Sequence, residues 1–86
     1  MSVVSNPSET FMQCAIESAR RGMAAGEPPI GACLVRDSEA ISTAHNSVVS
    51  ALDITAHAEI VVIREACQSL HALDLSGCHL YVTVEP

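Results

Sequence analysis

The chain has no lysine and no tryptophan, and its aromatic content is 2%, carried by Phe11 and Tyr81 alone. With so few rings, aliphatic packing must form the interior. Basic charge is also scarce: four arginines face ten acids, giving a formal net charge of -6. Binding to a phosphate backbone rests largely on basic groups that displace counterions, so this balance disfavours nucleic acid and favours a small-molecule substrate. No apolar run is long enough to cross a membrane. The N-terminus, Met1 to Pro7, lacks both a basic start and an apolar stretch of the kind that directs secretion. Cys14, Cys33, Cys67 and Cys78 show no Cys-x-x-Cys spacing, and the chain has no repeats, linkers or low-complexity segments. These absences point to a reducing, cytoplasmic setting in which the thiols act as small buried hydrophobes and are not paired.

What remains is a core-forming composition, 49% hydrophobic and 16% charged in 86 residues. That length allows one small domain with a modest buried fraction. Asn6-Pro7-Ser8-Glu9 is a helix start, with Asn6 as cap, Pro7 at the first helical position and Glu9 placed for a capping box. Met12, Ala15, Ile16, Ala19 and Met23 recur at helical spacing as one apolar stripe. Arg20 and Arg21 suit the dipole late in that helix, and Gly26 before Pro28-Pro29 ends it. Ile30 to Arg36 reads as a buried strand. Asp37-Ser38-Glu39 is turn material, Ala40 to Asn46 a second strand returning as a hairpin, and Ser47 to Ile54 a mixed loop.

Asp53 or Thr55 is the expected cap of a second helix carrying Ile60, Val61, Val62, Ile63, Ala66, Cys67 and Leu70. Apolar on most of its circumference, that helix is expected to be largely buried. Leu75-Ser76-Gly77 turns the chain into a last strand from Cys78 to Val84, in which Leu80, Val82 and Val84 oppose His79, Tyr81 and Thr83. The order is helix, strand, strand, helix, strand, which implies a mixed sheet with helices against it.

His57 and Glu59 fall in the first turn of the second helix. At a helix N-terminus, side chains two apart can converge on a point beyond the helix end, where free backbone N-H groups and the positive dipole end also point. One neutral imidazole and one carboxylate there suit a metal ligand and a proton carrier. Taken alone, His-Ala-Glu is a weak signal: Glu59 also reads as a favourable first-turn acid and His57 as a partly buried polar residue. Asn46, by itself, also reads as a strand-end turn residue.

Four segments in order sharpen the reading: Pro29-Ile30-Gly31-Ala32, Asn46, Thr55-Ala56-His57-Ala58-Glu59 and Tyr81-Val82-Thr83-Val84-Glu85-Pro86. Together they resemble the cytidine-deaminase-like superfamily, within it the branch of tRNA adenosine, guanine and cytosine deaminases, over nearly all the chain from about Phe11 to Pro86. The resemblance implies an α/β fold, the N-terminal part of a three-layer α/β/α sandwich, as a single deaminase-like domain over residues 1–86 that is incomplete at its C-terminal side. It implies that His57 is the histidine of a His-Cys-Cys zinc site, with the two cysteines expected beyond the chain end in a Pro-Cys-x-x-Cys run that begins at Pro86. Glu59 then looks like the general acid/base, moving a proton from water to the ring nitrogen and then to the departing amine. Asn46 resembles the residue that hydrogen-bonds the base or its sugar, and the Ala58 N-H lies beside the attacked carbon. These roles, and zinc's role of lowering the pKa of water towards about 7, are carried over from the group's mechanism.

None of the four cysteines sits at a family ligand position, and His45, His71 and His79 match no motif position; all are read as structural. Arg20 and Arg21 are read as a solvated helix end and not a phosphate site. A catalytic zinc site needs about three protein ligands, so the 86 residues alone are expected neither to hold catalytic zinc nor to deaminate. For the complete protein, the expected activity is zinc-dependent hydrolytic deamination of an amino-substituted nucleobase or nucleoside, with release of ammonia. Adenosine in tRNA is the alternative substrate, and self-association as a dimer is expected. The rival from another class is a non-catalytic truncated paralogue, or a fragment that pairs its unfinished sheet edge with another copy.

Overall fold

The computed structural model describes residues 2–3 and 9–83. The helix start read at Asn6 and Pro7, the Glu9 side chain, and the strand end at Val84 to Pro86 lie outside the described residues. The elements are β1 (Ser2–Val3), α1 (Glu9–Ala24), β2 (Gly31–Arg36), β3 (Glu39–His45), α2 (Val48–Ala51), α3 (Ala58–Leu70) and β4 (Cys78–Val82). The expected order of helix, strand, strand, helix, strand is therefore present as α1, β2, β3, α3, β4. Two short elements are added to it: β1, and α2 within the stretch read as loop.

The strands form one sheet in the order β1-β4-β2-β3. β2 and β3 are an antiparallel hairpin whose turn, Asp37-Ser38, has φ of 53° and 61°. Two consecutive left-handed residues give the twist that a tight hairpin needs. β4 pairs antiparallel with β2, Leu34 opposite Leu80, and β1 adds parallel to its other side. Successive side chains of a strand point to opposite faces, and both faces here are covered. Ala32 and Leu34 of β2 pack with Ala44, Cys78 and Leu80 against Ala58, Val62 and Ala66 of α3. Cys33 and Val35 face the other way and pack with Tyr81 against Ala15 of α1, where the Phe11 and Tyr81 rings stand 5.6 Å apart. The architecture is three layers, α/β/α. It also explains why Leu80 and Tyr81, neighbours on β4, are both buried.

Two expectations about the helices are corrected. The buried line on α1 runs through Ala15, Ser18, Ala19 and Gly22, while Met23 is 58% exposed. Small side chains win this face because the sheet comes too close for large ones: a Cβ on Gly31 would stand 2.0 Å from the Ala15 carbonyl oxygen and 2.6 Å from the Ala19 nitrogen. In α3, only Ala58, Val62 and Ala66 are fully buried, and Ile60 is exposed. A helix lying on one sheet face buries one stripe, and no described element covers the rest. Among the described residues, no helix is long and apolar enough to cross a membrane.

Candidate functional site at the α3 N-terminus

Four chain segments meet at one end of the sheet. The pairs Gly31 with His45 and Ala32 with Val82 put the start of β2 beside the ends of β3 and β4. The Ser47 N-H donates to the Ala56 carbonyl at 2.9 Å and brings the approach to α3 to the same end. Asn46, His57, Ala58 and Glu59, far apart in the chain, are thereby gathered at one edge of the fold.

The cap expected at Asp53 or Thr55 lies elsewhere. Asp53 Oδ1 accepts from the Thr55 N-H at 2.9 Å and the Thr55 hydroxyl at 2.7 Å, so these residues close a small loop of their own. His57 is the N-cap, in extended conformation (φ -68°, ψ 152°), and its side chain makes no capping hydrogen bond. Its ring is exposed and stands at the helix end where the N-H groups of Ala58 to Ile60 have no intrahelical carbonyl. Ala58 is fully buried, and Glu59 is half-buried in the first turn.

Asn46 follows β3 and is buried. Its N-H donates to the Ile30 carbonyl at 2.9 Å, and its Oδ1 accepts the Val48 N-H at 3.0 Å. With the oxygen turned to the Val48 N-H, the amide nitrogen is turned away from that bond and is a donor Asn46 can offer to a ligand. His45 Nδ1 lies 2.7 Å from the Asn46 carbonyl oxygen, which holds the neighbouring ring against the same turn.

Sequence reasoning missed Glu27. It is buried between Gly26 and Pro28-Pro29, its Oε1 accepts the Val49 N-H at 3.0 Å, and its Oε2 accepts the Ser50 N-H at 2.7 Å. The Ser50 hydroxyl, helped by those two N-H groups and opposed by burial, holds its carboxyl below the usual carboxylate range. The available signal was an acid set between a helix-ending glycine and two prolines at the entry to an apolar strand.

The donor set fits one corner of a zinc site. His57 offers an exposed imidazole, but among the described residues no group of three or more His, Cys, Asp or Glu could hold a metal ion. The four cysteines are free, and none stands in for a missing ligand. Cys33 faces α1 across the sheet from His57, and burial, with a contribution from Cys14, pushes its thiol up to about 11, so it is no ready thiolate. Cys78 pairs with Arg36 at the far end of the sheet, and Cys67 lies late in α3.

The family model described as the cytidine and deoxycytidylate deaminase zinc-binding region matches residues 5–86. The chain is 50% identical over 78 residues to the tRNA-specific adenosine deaminase of Aquifex aeolicus, a match that takes in 91% of this chain and 52% of that protein. It is 43% identical over 79 residues to the guanine deaminase of Bacillus subtilis, covering 91% of this chain and 51% of the relative. The X-ray structure of the Bacillus subtilis guanine deaminase superposes with a TM-score of 0.86 at 42% identity, over 93% of this chain and 52% of that one. A structure from a study of A-to-I editing by tRNA:A34 deaminases gives a TM-score of 0.85 at 47% identity, over 90% and 59% of the two chains. The chain thus spans about half the length of the curated relatives it matches.

Proposed function

Because this chain belongs to the cytidine and deoxycytidylate deaminase zinc-binding family, we propose that the full-length protein hydrolytically deaminates an amino-substituted nucleobase or nucleoside. The observation that carries the proposal is the gathering of Asn46, His57, Ala58 and Glu59 at one end of the sheet by the Ser47–Ala56 hydrogen bond. His57 holds zinc as one of about three protein ligands; the metal, when bound, lowers the pKa of water towards about 7.

The remaining roles belong to the chain's own groups. Glu59, at the positive end of the α3 dipole, takes the proton of the attacking water. It delivers that proton to the ring nitrogen beside the reacting carbon, then carries the proton of the added hydroxyl to the amine, so that the carbon–nitrogen bond breaks, ammonia leaves and the carbon becomes a carbonyl. The Asn46 amide nitrogen donates to the base or its sugar, and the Ala58 N-H lies alongside the reacting carbon.

A free base or nucleoside is the first choice of substrate, supported by the charge of -6 and the absence of lysine. Adenosine in tRNA is the second reading, favoured by the likeness to the Aquifex aeolicus enzyme. The protein is placed in the cytoplasm and assembles as a dimer, for which exposed Val49, Leu52, Ile54 and Ile60 near the site are a suitable surface. The test is zinc content and ammonia release by the full-length gene product, with guanine, cytosine, adenosine and a tRNA anticodon arm as substrates. Zinc bound and ammonia released from one of these is the expected result; a zinc-free protein inert on all four overturns the proposal.

A further inference from the structure

We infer that Glu27 is a positioning residue of this site, holding α2 so that the Asn46 amide presents its nitrogen, and not its oxygen, to the base. The inference rests on the substrate role proposed for Asn46. A helix as short as α2, Val48–Ala51, is not stable by itself, and its first N-H groups have no carbonyl partners within it. Here Asn46 Oδ1 accepts the Val48 N-H at 3.0 Å, and the two oxygens of Glu27 accept the Val49 and Ser50 N-H groups at 3.0 and 2.7 Å. One amide and one carboxylate therefore share three successive donors of the same turn.

The coupling follows from that sharing. The Val48 N-H that orients the Asn46 amide belongs to a turn whose next two N-H groups are held by Glu27. If the carboxylate lets go, the turn loosens, Oδ1 loses its donor, and the amide can rotate by half a turn, exchanging a donor for an acceptor at the base. The anchor itself sits on a stiff segment. The Glu27 N-H donates to the Gly22 carbonyl at the end of α1 at 2.9 Å, and Pro28-Pro29 restrict the backbone that follows. An ionised carboxylate suits the task because it only accepts, and both oxygens are needed. Glutamine has the same shape but one acceptor, so its NH2 would face an N-H group.

The experiment is Glu27→Gln in the full-length gene product, followed by NMR of the Asn46 side-chain amide, hydrogen exchange, and steady-state kinetics. Exchange of the Val48 to Ser50 amides is expected to speed up about tenfold while that of β2 and β4 is unchanged. The Asn46 side-chain signal is expected to shift. kcat/KM is expected to fall about tenfold, mainly through KM, and Glu27→Gln is expected to cost less than about twofold further in an Asn46→Ala background. If Glu27→Gln fails to fold, Ser50→Ala keeps the Ser50 N-H and removes only the hydroxyl that helps hold the Glu27 carboxyl ionised, and it is expected to move the Asn46 signal the same way by less. An unmoved Asn46 signal in the variant that folds, or losses that multiply in the double variant, overturns the inference. Absence of deaminase activity in the wild type overturns the proposed function instead, while exchange and the Asn46 signal still decide the link.

Discussion

Thr83 and Gly31 hold each other by both backbone and hydroxyl hydrogen bonds across the sheet end that carries the candidate site. The Gly31 N-H donates to Thr83 Oγ1 at 2.8 Å, and the Thr83 N-H donates to the Gly31 carbonyl at 2.9 Å. The pair lies where β4 leaves the sheet and β2 enters it, and Thr83 is buried. Thr83→Val keeps the shape and leaves the Gly31 N-H buried without an acceptor. Such an orphaned donor costs about 1–3 kcal/mol. A drop of that size in unfolding free energy by urea titration is expected; an unchanged midpoint would show that the hydroxyl contributes nothing.

Gly31 is also where β2 comes closest to α1. The contacts that a Cβ would make there are backbone atoms of Ala15 and Ala19, which cannot rotate away as a side chain can. Gly31→Ala must push α1 off the sheet, and the expected loss is about 3 kcal/mol or more, beyond the usual cost of overpacking. Thermal unfolding with near-UV detection of Tyr81 would report it, since Tyr81 packs under α1.

In the full-length protein, Glu59 and His57 should separate cleanly. Glu59→Gln removes the carboxylate proposed as proton carrier and leaves the imidazole, so kcat is expected to fall about 10²–10⁴-fold with zinc content unchanged. His57→Ala is expected to lose the zinc as well. Equal loss of zinc in both variants would contradict the division of roles between them.

Acid should loosen the loops before the sheet. Glu27, Asp53 and Asp74 are each held below the usual carboxylate range, first by the hydroxyls of Ser50, Thr55 and Ser76 respectively. A carboxyl whose folded value is depressed binds its proton more readily in the unfolded chain. Its contribution is therefore complete above the ordinary carboxylate values and is lost as pH falls through the depressed folded ones. Stability measured from pH 7 downwards is expected to hold until about pH 5 and then decline. Glu27→Gln should flatten that decline. A slope identical to the wild type would show that Glu27 titrates alike in both states.

Much of the fold was legible because its signals are local. The apolar run of β2, the polar turn at Asp37-Ser38, the alternation in β4 and the helical spacing of α1 each depend on neighbours within a few residues. The N-cap of α3 was misplaced for a local reason too. Asp53 and Thr55 have capping side chains, but they bond each other, and the helix starts only at Ala58 with His57 as cap. The stripe on α1 was read one residue off at its end, where Gly22 and not Met23 is buried, because the His45 side chain of β3 stands where even a Cβ at position 22 would be. Glu27 carried only its setting between Gly26 and Pro28-Pro29, which does not name a partner. Its partners are backbone N-H groups 22 and 23 residues away, and a backbone N-H has no residue identity to read.

By itself, the sequence determined the fold class, the family and the setting of His57 and Glu59 two residues apart at a helix start, because periodicity and motif order are written in the residues themselves. The tertiary structure alone decided which end of the sheet gathers them and that the Asn46 amide turns its oxygen to the Val48 N-H. It also decided that a buried acid on another loop accepts the Val49 and Ser50 N-H groups beside it. Those outcomes depend on which N-H groups a folded backbone leaves unpaired, and only packing of the whole chain determines that.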